Sequence, residues 1–264
     1  MEKTPSIAVV TGASRGIGRA VATQLAASGH TVIAMGRSAE QLDQVAAASG
    51  AFPIMLDVSD VAAVAQAWSR VESEFGVPTL VVNNAGLAGE NARTWERDPG
   101  DWWRVFEVNV FGTFLISRAA LPGMIARGSG RIVNVASNAA FYRVDSASDG
   151  PIYSAYMASK AAVIRFTEAV AAETAGLGVQ AFAISPGMVK SDMTAATFAE
   201  DWDDPDLWSP PELTADLIEF IDSGELDSMS GRYIHVAQHD WRSLGARSAE
   251  VLANDEHALR VRTT

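Results

Sequence analysis

Cysteine is absent from the 264-residue sequence. Without thiols the chain can form neither disulfides nor thiolate metal sites, so its stability has to come from a buried core. A reducing compartment is compatible with this composition. Hydrophobic residues make up 48% of the chain, which is enough for a sizeable core, and the length suits one large domain or two small ones.

Positive charge is scarce. The chain carries 20 Lys and Arg residues against 32 Asp and Glu residues, which gives a formal net charge of −12. A surface this acidic repels phosphate backbones, so we expect no nucleic-acid partner. The densest acidic stretch, residues 200–206, lacks a metal-ligand spacing, and we expect no metal site.

Long hydrophobic runs are also missing from the sequence pattern. The first six residues lack the apolar core of a signal peptide, and no apolar run approaches the roughly 18 residues that a membrane span needs. We therefore expect no membrane association and a cytoplasmic location. Repeats, low-complexity tracts and interdomain linkers are not found, which favours a single domain over residues 1–264.

Short apolar runs alternate with stretches of helical periodicity along the whole chain. Such alternation predicts right-handed crossovers and an α/β fold, a doubly wound parallel sheet of about seven strands with helices on both faces. The predicted strands are residues 7–10, 31–35, 51–56, 79–82, 131–136, 180–184 and 232–236.

A glycine-rich turn follows the first strand and opens the first helix. Glycine lets a backbone approach a diphosphate closely, and the helix N-terminus offers unpaired N–H groups and partial positive charge. The sequence there is Thr11-Gly12-Ala13-Ser14-Arg15-Gly16-Ile17-Gly18. We predict that Gly12, Ser14, Arg15, Gly16, Ile17 and Gly18 bind the diphosphate of a dinucleotide.

The end of the second strand indicates which dinucleotide is bound. Folds that select NAD place an acidic residue there, whereas this chain has Gly36-Arg37-Ser38. Arg37 and Arg15 suit a 2′-phosphate, so NADP(H) is preferred and NAD(H) remains possible. The alternative is that Arg37 is a solvated residue before a helix whose capping box is Ser38 and Gln41.

Polar residues follow the later strands, where ligands of doubly wound sheets bind. Asp57, followed by Val58, could accept a hydrogen bond from the adenine amino group or cap the next helix. The turn Asn83-Asn84-Ala85-Gly86 ends the fourth strand, and its amides could brace strand ends or contact a ribose. Asn109 lies among apolar residues of a helix predicted over residues 102–125, after a loop marked by Pro99-Gly100. It is either a satisfied buried amide or a site residue.

Tyr156 and Lys160 are spaced to lie on one face of a helix, one turn apart. A free tyrosine has a pKa of about 10, and a neighbouring ammonium favours the phenolate. The pair could exchange a proton with an alcohol or ketone. Tyr153 is a rival acid, but Met157 stands where its activating cation would be. Alone, such a spacing is common among unrelated surface residues.

Together these motifs resemble the short-chain dehydrogenase/reductase family across about residues 7–193. The resemblance implies a Rossmann-type three-layer fold, a small-molecule carbonyl or alcohol substrate, and a homotetramer or homodimer. It implies that Tyr156 is the general acid/base, that Lys160 lowers its pKa and binds the nicotinamide ribose, and that Ser137 binds the substrate oxygen. It further implies that Asn109 holds a water on a proton path from Lys160. Cofactor contacts implied by the family are Asn84, Ala85, Gly86, Tyr156, Lys160, Pro186, Gly187, Val189 and Ser191, the last in place of the family's usual Thr.

Two regions bear on the substrate. The segment between Ser137 and Tyr156 is longer than the family's usual spacing, and residues 188–211 match the family's substrate lid. We hypothesise that aromatic residues of these regions line a bulky apolar pocket for a ring-containing substrate. The alternative is that they pack the lid or a subunit contact. These residues are Phe141, Tyr142, Phe198, Trp202 and Trp208.

The sequence thus predicts an NADP-dependent oxidoreductase that acts on a CH–OH/C=O pair. Alternatives are an NAD-preferring alcohol dehydrogenase of the same family, a non-catalytic NADP-binding regulator, and a related enzyme that uses the tyrosine for epimerisation or C=C reduction. The full set of Asn109, Ser137, Tyr156 and Lys160 argues against the regulator.

Overall fold

Seven parallel strands form one sheet, in the order β3-β2-β1-β4-β5-β6-β7. The computed structural model describes residues 6–141, 153–195 and 202–260. The strands are β1 (Ile7–Thr11), β2 (Thr31–Gly36), β3 (Phe52–Met55), β4 (Leu80–Asn83), β5 (Gly130–Val135), β6 (Val179–Ser185) and β7 (Tyr233–His235). The predicted sheet is confirmed, with every strand within a residue or two of its expected ends. The order reverses between β1 and β4, which opens a crevice at their carboxyl ends.

The strands are apolar because both faces of the sheet are covered. All five residues of β1 are buried, as a parallel strand between two helical layers requires. On one face the core contains Leu25, Phe182 and Leu217. On the other face it contains Trp68 and Met124.

The covering layers consist of helices with one apolar face each. They are α1 (Gly16–Ala27), α2 (Ala39–Ser49), α3 (Val61–Glu74), α4 (Pro99–Phe106), α5 (Thr113–Arg127), α6 (Ser154–Glu173), α7 (Asp192–Ala195), α8 (Pro211–Asp222), α9 (Trp241–Leu244) and α10 (Ser248–Ala253). Helices α1, α2 and α8 cover one face, and α3, α5 and α6 cover the other. The three-layer α/β architecture is therefore confirmed.

Helices α4 and α5 are joined by a π-helical segment, Glu107–Gly112, into one continuous helix. The prediction of a loop up to residue 101 is wrong. Proline lacks the N–H that the first helical turn leaves unbonded, so Pro99 begins the helix, and the side chain of Asp98 accepts a hydrogen bond from Asp101 N.

The same continuous helix, Pro99–Arg127, is long and apolar enough to cross a membrane, with a mean hydropathy of 1.3 over its most apolar window. The expectation that the chain contains no such stretch is therefore wrong. Half of that window is buried inside the fold, because α5 packs against the sheet and α3. Burial in the core accounts for this half, whereas Phe111, Phe114 and Ile125 of the same helix are exposed.

Three helices near the C-terminus are not predicted from the sequence. Leu217, Ile218 and Ile221 of α8 are fully buried, and the indole of Trp241 packs edge-on against Phe220. Tyr142 and Phe198 of the aromatic hypothesis lie outside the described residues, as do positions 200 and 201 of the acidic stretch.

Candidate active site

A cavity of about 670 Å³ lies at the crevice beyond the carboxyl ends of the strands. Most of the predicted cofactor residues line it, namely Gly12, Ser14, Arg15, Gly16, Ile17, Arg37, Asp57, Val58, Asn84, Ala85, Gly86, Tyr156, Lys160, Pro186 and Ser191. Gly18, Gly187 and Val189 do not line it. Residues far apart in the sequence therefore meet in one cleft of a size suited to a dinucleotide.

The glycine turn forms the floor of this cavity. Gly12 and Gly16 have positive φ angles of 63° and 53°, which L side chains rarely adopt. A Cβ at Gly16 would meet no atom within 4 Å, so the backbone faces open space there. Helix α1 begins at Gly16 without a side-chain cap, which leaves its first N–H groups available to an anion. These features fit the diphosphate of a dinucleotide.

Gly18 acts by packing and lies beneath the turn. A Cβ at Gly18 would lie 2.3 Å from Gly12 O and 2.5 Å from Asn84 Nδ2. Asn84 Nδ2 in turn donates to Thr11 O at 3.0 Å and to Gly12 O at 3.2 Å. The predicted bracing role of these amides is confirmed for Asn84, which ties β4 to the glycine turn.

At the end of β2, Arg37 is exposed and lines the cavity. Ser38 accepts a hydrogen bond from Gln41 N, so the capping prediction is confirmed. Arg15 forms an exposed ion pair with Asp192 of α7. Arg15 also lines the cavity and links the glycine turn to the segment after β6. A Cβ at Gly36 would lie 3.5 Å from Ser14 Oγ, so the glycine turn meets the end of β2.

Asp57 follows β3, and its side chain does not cap α3. Asp60 is the cap, accepting hydrogen bonds from the backbone N–H groups of Ala62 and Ala63. Asp57 instead accepts from Ser59 and pairs with Arg104 at 2.6 Å. Burial acts to raise the pKa of Asp57, but the hydrogen bonds from Ser59 and Arg104 outweigh it and lower the pKa. An anionic acceptor therefore lines the cavity at the loop after β3.

Asn109 lies in the π-helical segment and is almost completely buried. Its Nδ2 donates to Leu87 O at 2.9 Å and to Ser159 Oγ at 2.9 Å, and its Oδ1 accepts from Leu87 N at 2.8 Å. The side chain is thus a satisfied buried amide. Single π turns of this kind often occur at functional sites.

Gly86 brings Asn109 and Lys160 together. A Cβ there would lie 3.4 Å from Asn109 Oδ1 and 3.6 Å from Lys160 Nζ. Both polar groups therefore approach the backbone of the turn after β4. Because a side chain at this position would crowd both groups, glycine keeps the approach open.

Tyr156, Ser137 and Lys160 form a second group at the end of the cavity. The Tyr156 phenol is hydrogen-bonded to Ser137, which follows β5 and also accepts from Ala139 N at 3.1 Å. Lys160 Nζ lies 5.5 Å from the centroid of the Tyr156 ring and donates to Val135 O at 2.7 Å. Helix α6 therefore presents both side chains to one place, as the spacing predicts.

The expectation that Lys160 lowers the pKa of Tyr156 is wrong for this state of the protein. Burial of the phenol raises the pKa of Tyr156, and the hydrogen bond with Ser137 offsets only part of that effect. Burial also lowers the pKa of Lys160 to about 8. Desolvation disfavours the charged form of each group, and the Lys160 ammonium is hydrogen-bonded to the Val135 carbonyl.

A buried chain of hydrogen bonds supports the part of α6 behind these residues. Asn83 Nδ2 donates to Asn134 Oδ1 at 2.8 Å and to Ser117 Oγ at 3.1 Å. Asn134 Nδ2 donates to Thr167 Oγ1 of α6 at 2.9 Å. These bonds connect β4, β5, α5 and α6. Asn83 therefore braces the scaffold, and Asn84 faces the cavity.

Only some of the residues that were predicted to contact the cofactor in the segment after β6 line the cavity. Pro186 and Ser191 line the cavity. Gly187 has a φ of 73°, and a Cβ there would lie 2.4 Å from Ser209 Oγ. Val189 is buried and its carbonyl accepts from Thr194 Oγ1 at 2.8 Å. Gly187 thus packs closely against Ser209, and Val189 is hydrogen-bonded to Thr194. Both residues fix the conformation of the segment and do not line the cavity.

Sequence reasoning missed several residues of the cavity wall. These are Gly36, Ser38, Gln41, Leu56, Leu87, Val108, Val135, Ala136, Lys190, Asp192 and Met193. Most of them are adjacent in the sequence to a predicted residue, so their location at a strand end could have identified them. Lys190 and Asp192 reach the cavity through the path of the chain after β6, which no local pattern shows.

The aromatic residues of the substrate hypothesis fall into two groups. The Phe141 ring packs 4.8 Å from the Tyr233 ring. Trp202 and Trp208 lie 5.1 Å apart, and Lys190 Nζ lies over both rings at 5.2 Å and 5.6 Å. Among the described residues, Phe141 therefore packs against Tyr233, whereas the two tryptophans pack against each other and Lys190.

Comparison with known proteins places this arrangement in a family. Residues 6–202 match the model of short chain dehydrogenases. The chain is 38% identical to the short chain dehydrogenase mpl6 of Monascus purpureus, over 96% of this chain and 87% of the relative. It is 32% identical to the 3-oxoacyl-[acyl-carrier-protein] reductase FabG of Escherichia coli, over 87% of this chain and 95% of the relative.

A solved structure with NADP bound at low occupancy is also similar. It is described as a candidate NAD(P)-dependent gluconate 5-dehydrogenase from Beutenbergia cavernae. The two chains share 33% identity with a TM-score of 0.75, over 88% of this chain and 94% of that chain. The match spans most of the sequence, and the fold agrees with it. The chain belongs to the short-chain dehydrogenase family, whose members are oxidoreductases of CH–OH and C=O groups.

Proposed function

We propose that the protein is an NADP(H)-dependent oxidoreductase that interconverts ketones and secondary alcohols. The observation that carries the proposal is that Tyr156, hydrogen-bonded to Ser137 and beside Lys160, closes the cavity whose floor is the glycine turn. The proton-handling group and the dinucleotide site thus share one cleft. A binding protein without activity has no need of that arrangement.

The cofactor supplies the hydride when bound, and the side chains supply position and proton. In the reducing direction, the Tyr156 hydroxyl donates its proton to the substrate oxygen, while Ser137 hydrogen-bonds the same oxygen as charge develops on it. The raised pKa of Tyr156 keeps that proton in place at neutral pH. In the oxidising direction the phenolate accepts the proton from the alcohol.

NADP(H) is favoured over NAD(H) by the charges at the end of β2. Arg37 lines the cavity there, and no acidic residue follows the strand to bind a 2′-hydroxyl. Arg15 also lines the cavity. NADP in the similar structure from Beutenbergia cavernae supports the same preference. Two guanidinium groups provide the charge and donors that a phosphate needs.

For the substrate we propose a ring-containing ketone or alcohol. A second cavity of about 700 Å³ has Phe141, Tyr233 and His239 in its lining, together with the charged residues Asp255, Glu256 and Arg260. The pKa of His239 is lowered to about 4 by burial, and then by the neighbouring His257 and His235, so its imidazole is neutral. The two aromatic rings and the neutral imidazole favour an uncharged ring on their side of the cavity, and the charged residues favour polar substituents on the other.

This second cavity is lined by Asn138, the residue that directly follows Ser137. Ser137 caps a 3₁₀ turn, Asn138–Ala140, and Phe141 ends it. At about 2 Å of rise per residue, the four steps from Ser137 to Phe141 span roughly 8 Å, so the Phe141 ring is within reach of a ring attached to the carbonyl. Phe141 rather than Trp202 or Trp208 is therefore the expected contact for the distal ring.

The test is a panel of acyclic, one-ring and two-ring ketones and alcohols, assayed by NADPH and NADH absorbance. Tyr156→Phe should lower kcat by about 10² or more, the usual scale for general acid catalysis, with NADPH affinity unchanged. Phe141→Ala should raise KM for two-ring ketones about tenfold, because an aromatic contact is lost. Phe52→Ala, which removes an exposed ring on β3 outside both cavities, is the control for Phe141→Ala.

The outcomes separate the two proposals. No turnover of any carbonyl or alcohol with either cofactor would contradict the oxidoreductase function, and full activity in Tyr156→Phe would remove that residue from catalysis. An unchanged KM for two-ring ketones in Phe141→Ala would contradict only the substrate proposal.

A further inference from the structure

Arg104 of α4 does not line the cofactor cavity but contacts the loop after β3 that lines it. Its Nη2 lies 2.6 Å from Asp57 Oδ2, and its Nη1 donates to Ser59 Oγ at 2.7 Å and to Glu107 Oε2 at 3.1 Å. One guanidinium therefore joins the loop after β3 to the start of the π-helical segment. Its planar fork suits this task, because a lysine could not serve the same partners in fixed geometry.

The other oxygen of Asp57 is held as well. Oδ1 accepts from Ser59 N at 3.0 Å and from Ser59 Oγ at 2.6 Å. Bonds to both oxygens restrict the rotation of the carboxylate. A carboxylate accepts about four hydrogen bonds, and three are made here, so one lone pair remains on Oδ2. The carboxylate is thus oriented and still able to accept a further donor from the cavity.

Packing reinforces the same contact. A Cβ at Gly112 would lie 2.6 Å from Val58 Cγ2, so the loop rests directly on the π-helical segment. Val58 is buried and lines the cavity beside Asp57. The wall of the cavity and the helix that carries Asn109 are therefore one packed unit, with Arg104 at its polar edge.

We propose that Arg104 is a positioning residue that fixes Asp57 to accept the exocyclic amino group of adenine. The inference rests on the proposed function only in that the cofactor contains adenine. Asp57 discriminates an amino group, which donates, from the carbonyl of hypoxanthine, which does not. Arg104 does not line the cavity, so it affects adenine recognition only by orienting Asp57.

The experiment measures binding and turnover in the variants Arg104→Gln and Arg104→Lys. Adenosine 2′,5′-bisphosphate is titrated by calorimetry, which needs no catalysis, and kcat and KM are measured with NADPH and with its hypoxanthine analogue. Arg104→Gln should weaken bisphosphate binding and raise the KM for NADPH about tenfold, the scale of a hydrogen bond to a charged group. Its kcat at saturating NADPH and its KM for the hypoxanthine analogue should change little. The bisphosphate affinity and the KM for NADPH of Arg104→Lys should lie between those of Arg104→Gln and those of the unaltered protein.

Arg70→Gln is the matched control. Arg70 lies on α3 and forms an exposed ion pair with Glu74 at 2.8 Å, away from the cavity. It should leave both affinities unchanged. Thermal unfolding of each variant shows whether the fold is retained, and Arg104→Lys provides the test if Arg104→Gln does not fold.

Three results would overturn the inference. Unaltered bisphosphate affinity in folded Arg104→Gln would remove the positioning role. An equal increase in KM for NADPH and for the hypoxanthine analogue would mean that Arg104 contributes only to general packing. A decrease in kcat alone would mean that Arg104 acts through the helix that carries Asn109. Failure of the unaltered protein to bind the bisphosphate at all would instead contradict the proposed cofactor.

Discussion

Lys160 is a buried cation whose ionisation changes near physiological pH. Its Nζ donates to the Val135 carbonyl, and burial lowers its pKa from 10.5 to about 8. A buried ammonium is poorly solvated, and a single carbonyl does not replace its water shell. The protonated form that the proposed ribose contact uses is therefore present below about pH 8 and is lost above it.

We expect kcat/KM for NADPH to decrease as the pH rises through about 8, because this parameter reports the unliganded enzyme. A profile from pH 6 to pH 10 measures the decrease. The decrease in NADPH affinity should persist in Tyr156→Phe, which lacks the phenol but keeps the lysine. A flat affinity profile would show that the charge of Lys160 does not contribute to cofactor binding.

The free energy of unfolding should also depend on the ionisation of Lys160, and the pKa shift determines the sign of that dependence. The unfolded chain holds the Lys160 proton up to about pH 10.5, whereas the folded chain loses it near pH 8. Between these values the unfolded state binds more protons, so the contribution of this group to the free energy of unfolding rises with pH. The cost of burying the ammonium is fully present below about pH 8.

Arg37 is the residue on which cofactor choice depends in the proposed function. Arg37→Asp should lower the NADPH/NADH ratio of kcat/KM tenfold or more, because a charge-assisted contact becomes a repulsion. Arg19→Asp makes the same charge change at an exposed position of α1 outside the cavity and should leave the ratio unchanged. An unchanged ratio in Arg37→Asp would remove the 2′-phosphate role.

At the scale of an element, the first strand, the glycine turn and α1 form a unit that works because its glycines differ in role. Gly16 exposes backbone to the cavity, whereas Gly18 allows α1 to pack on the turn. Side chains at these two positions would therefore have different effects. The first would crowd the ligand, and the second would disrupt the support beneath the ligand.

Gly18→Ala should abolish measurable NADPH binding and destabilise the fold by about 1–3 kcal/mol, the range for overpacking. Gly29→Ala is the control, since Gly29 has a φ of 92° and a Cβ there would meet no atom within 4 Å. It should cost about 1–2 kcal/mol through its backbone angle alone and leave NADPH affinity intact. Calorimetric titration and thermal unfolding distinguish the two, and tight NADPH binding by Gly18→Ala would contradict this account of the turn.

The continuous helix α4–π–α5 shows how one element serves two requirements. Its apolar face packs against the sheet, while its π-helical segment carries Asn109 and contacts the loop that contains Asp57. Hydropathy alone would suggest a membrane span. The packing partners account for its buried residues as core.

At the scale of the whole molecule, the resemblance to the family implies a homo-oligomer, and this remains a prediction. Phe111 and Phe114 are each 40% exposed, and the Phe114 ring packs edge-on against Phe166 of α6. We propose that these rings contribute to a contact between copies of this chain. A second copy would bury apolar surface that the isolated chain leaves in water.

Phe114→Glu should shift the protein toward the monomer, because a carboxylate would be buried in the contact. Size-exclusion chromatography with light scattering measures the mass. Leu177→Glu introduces the same charge at an exposed residue after α6 and should leave the mass unchanged. A native protein that is already monomeric would contradict the prediction.

Short-range patterns sufficed for much of this protein. Apolar runs predicted the seven strands, the Ser38 cap was identified from two residues, and the motifs at strand ends identified the family. These features depend on neighbours in the chain, and parallel strands bring their carboxyl ends together without further information. The sequence by itself therefore determined the sheet, the family and the placement of Tyr156 and Lys160 on one face of α6.

Only the tertiary structure decided how those residues behave. Whether Tyr156 is made more or less acidic depends on desolvation, and burial raises its pKa by more than the hydrogen bond with Ser137 lowers it. Arg104 reaches Asp57 across 47 positions, and Phe141 is separated from the two tryptophans by the path of the chain. Solvation and contacts between distant segments arise from packing in three dimensions, so no local pattern of the sequence contains them.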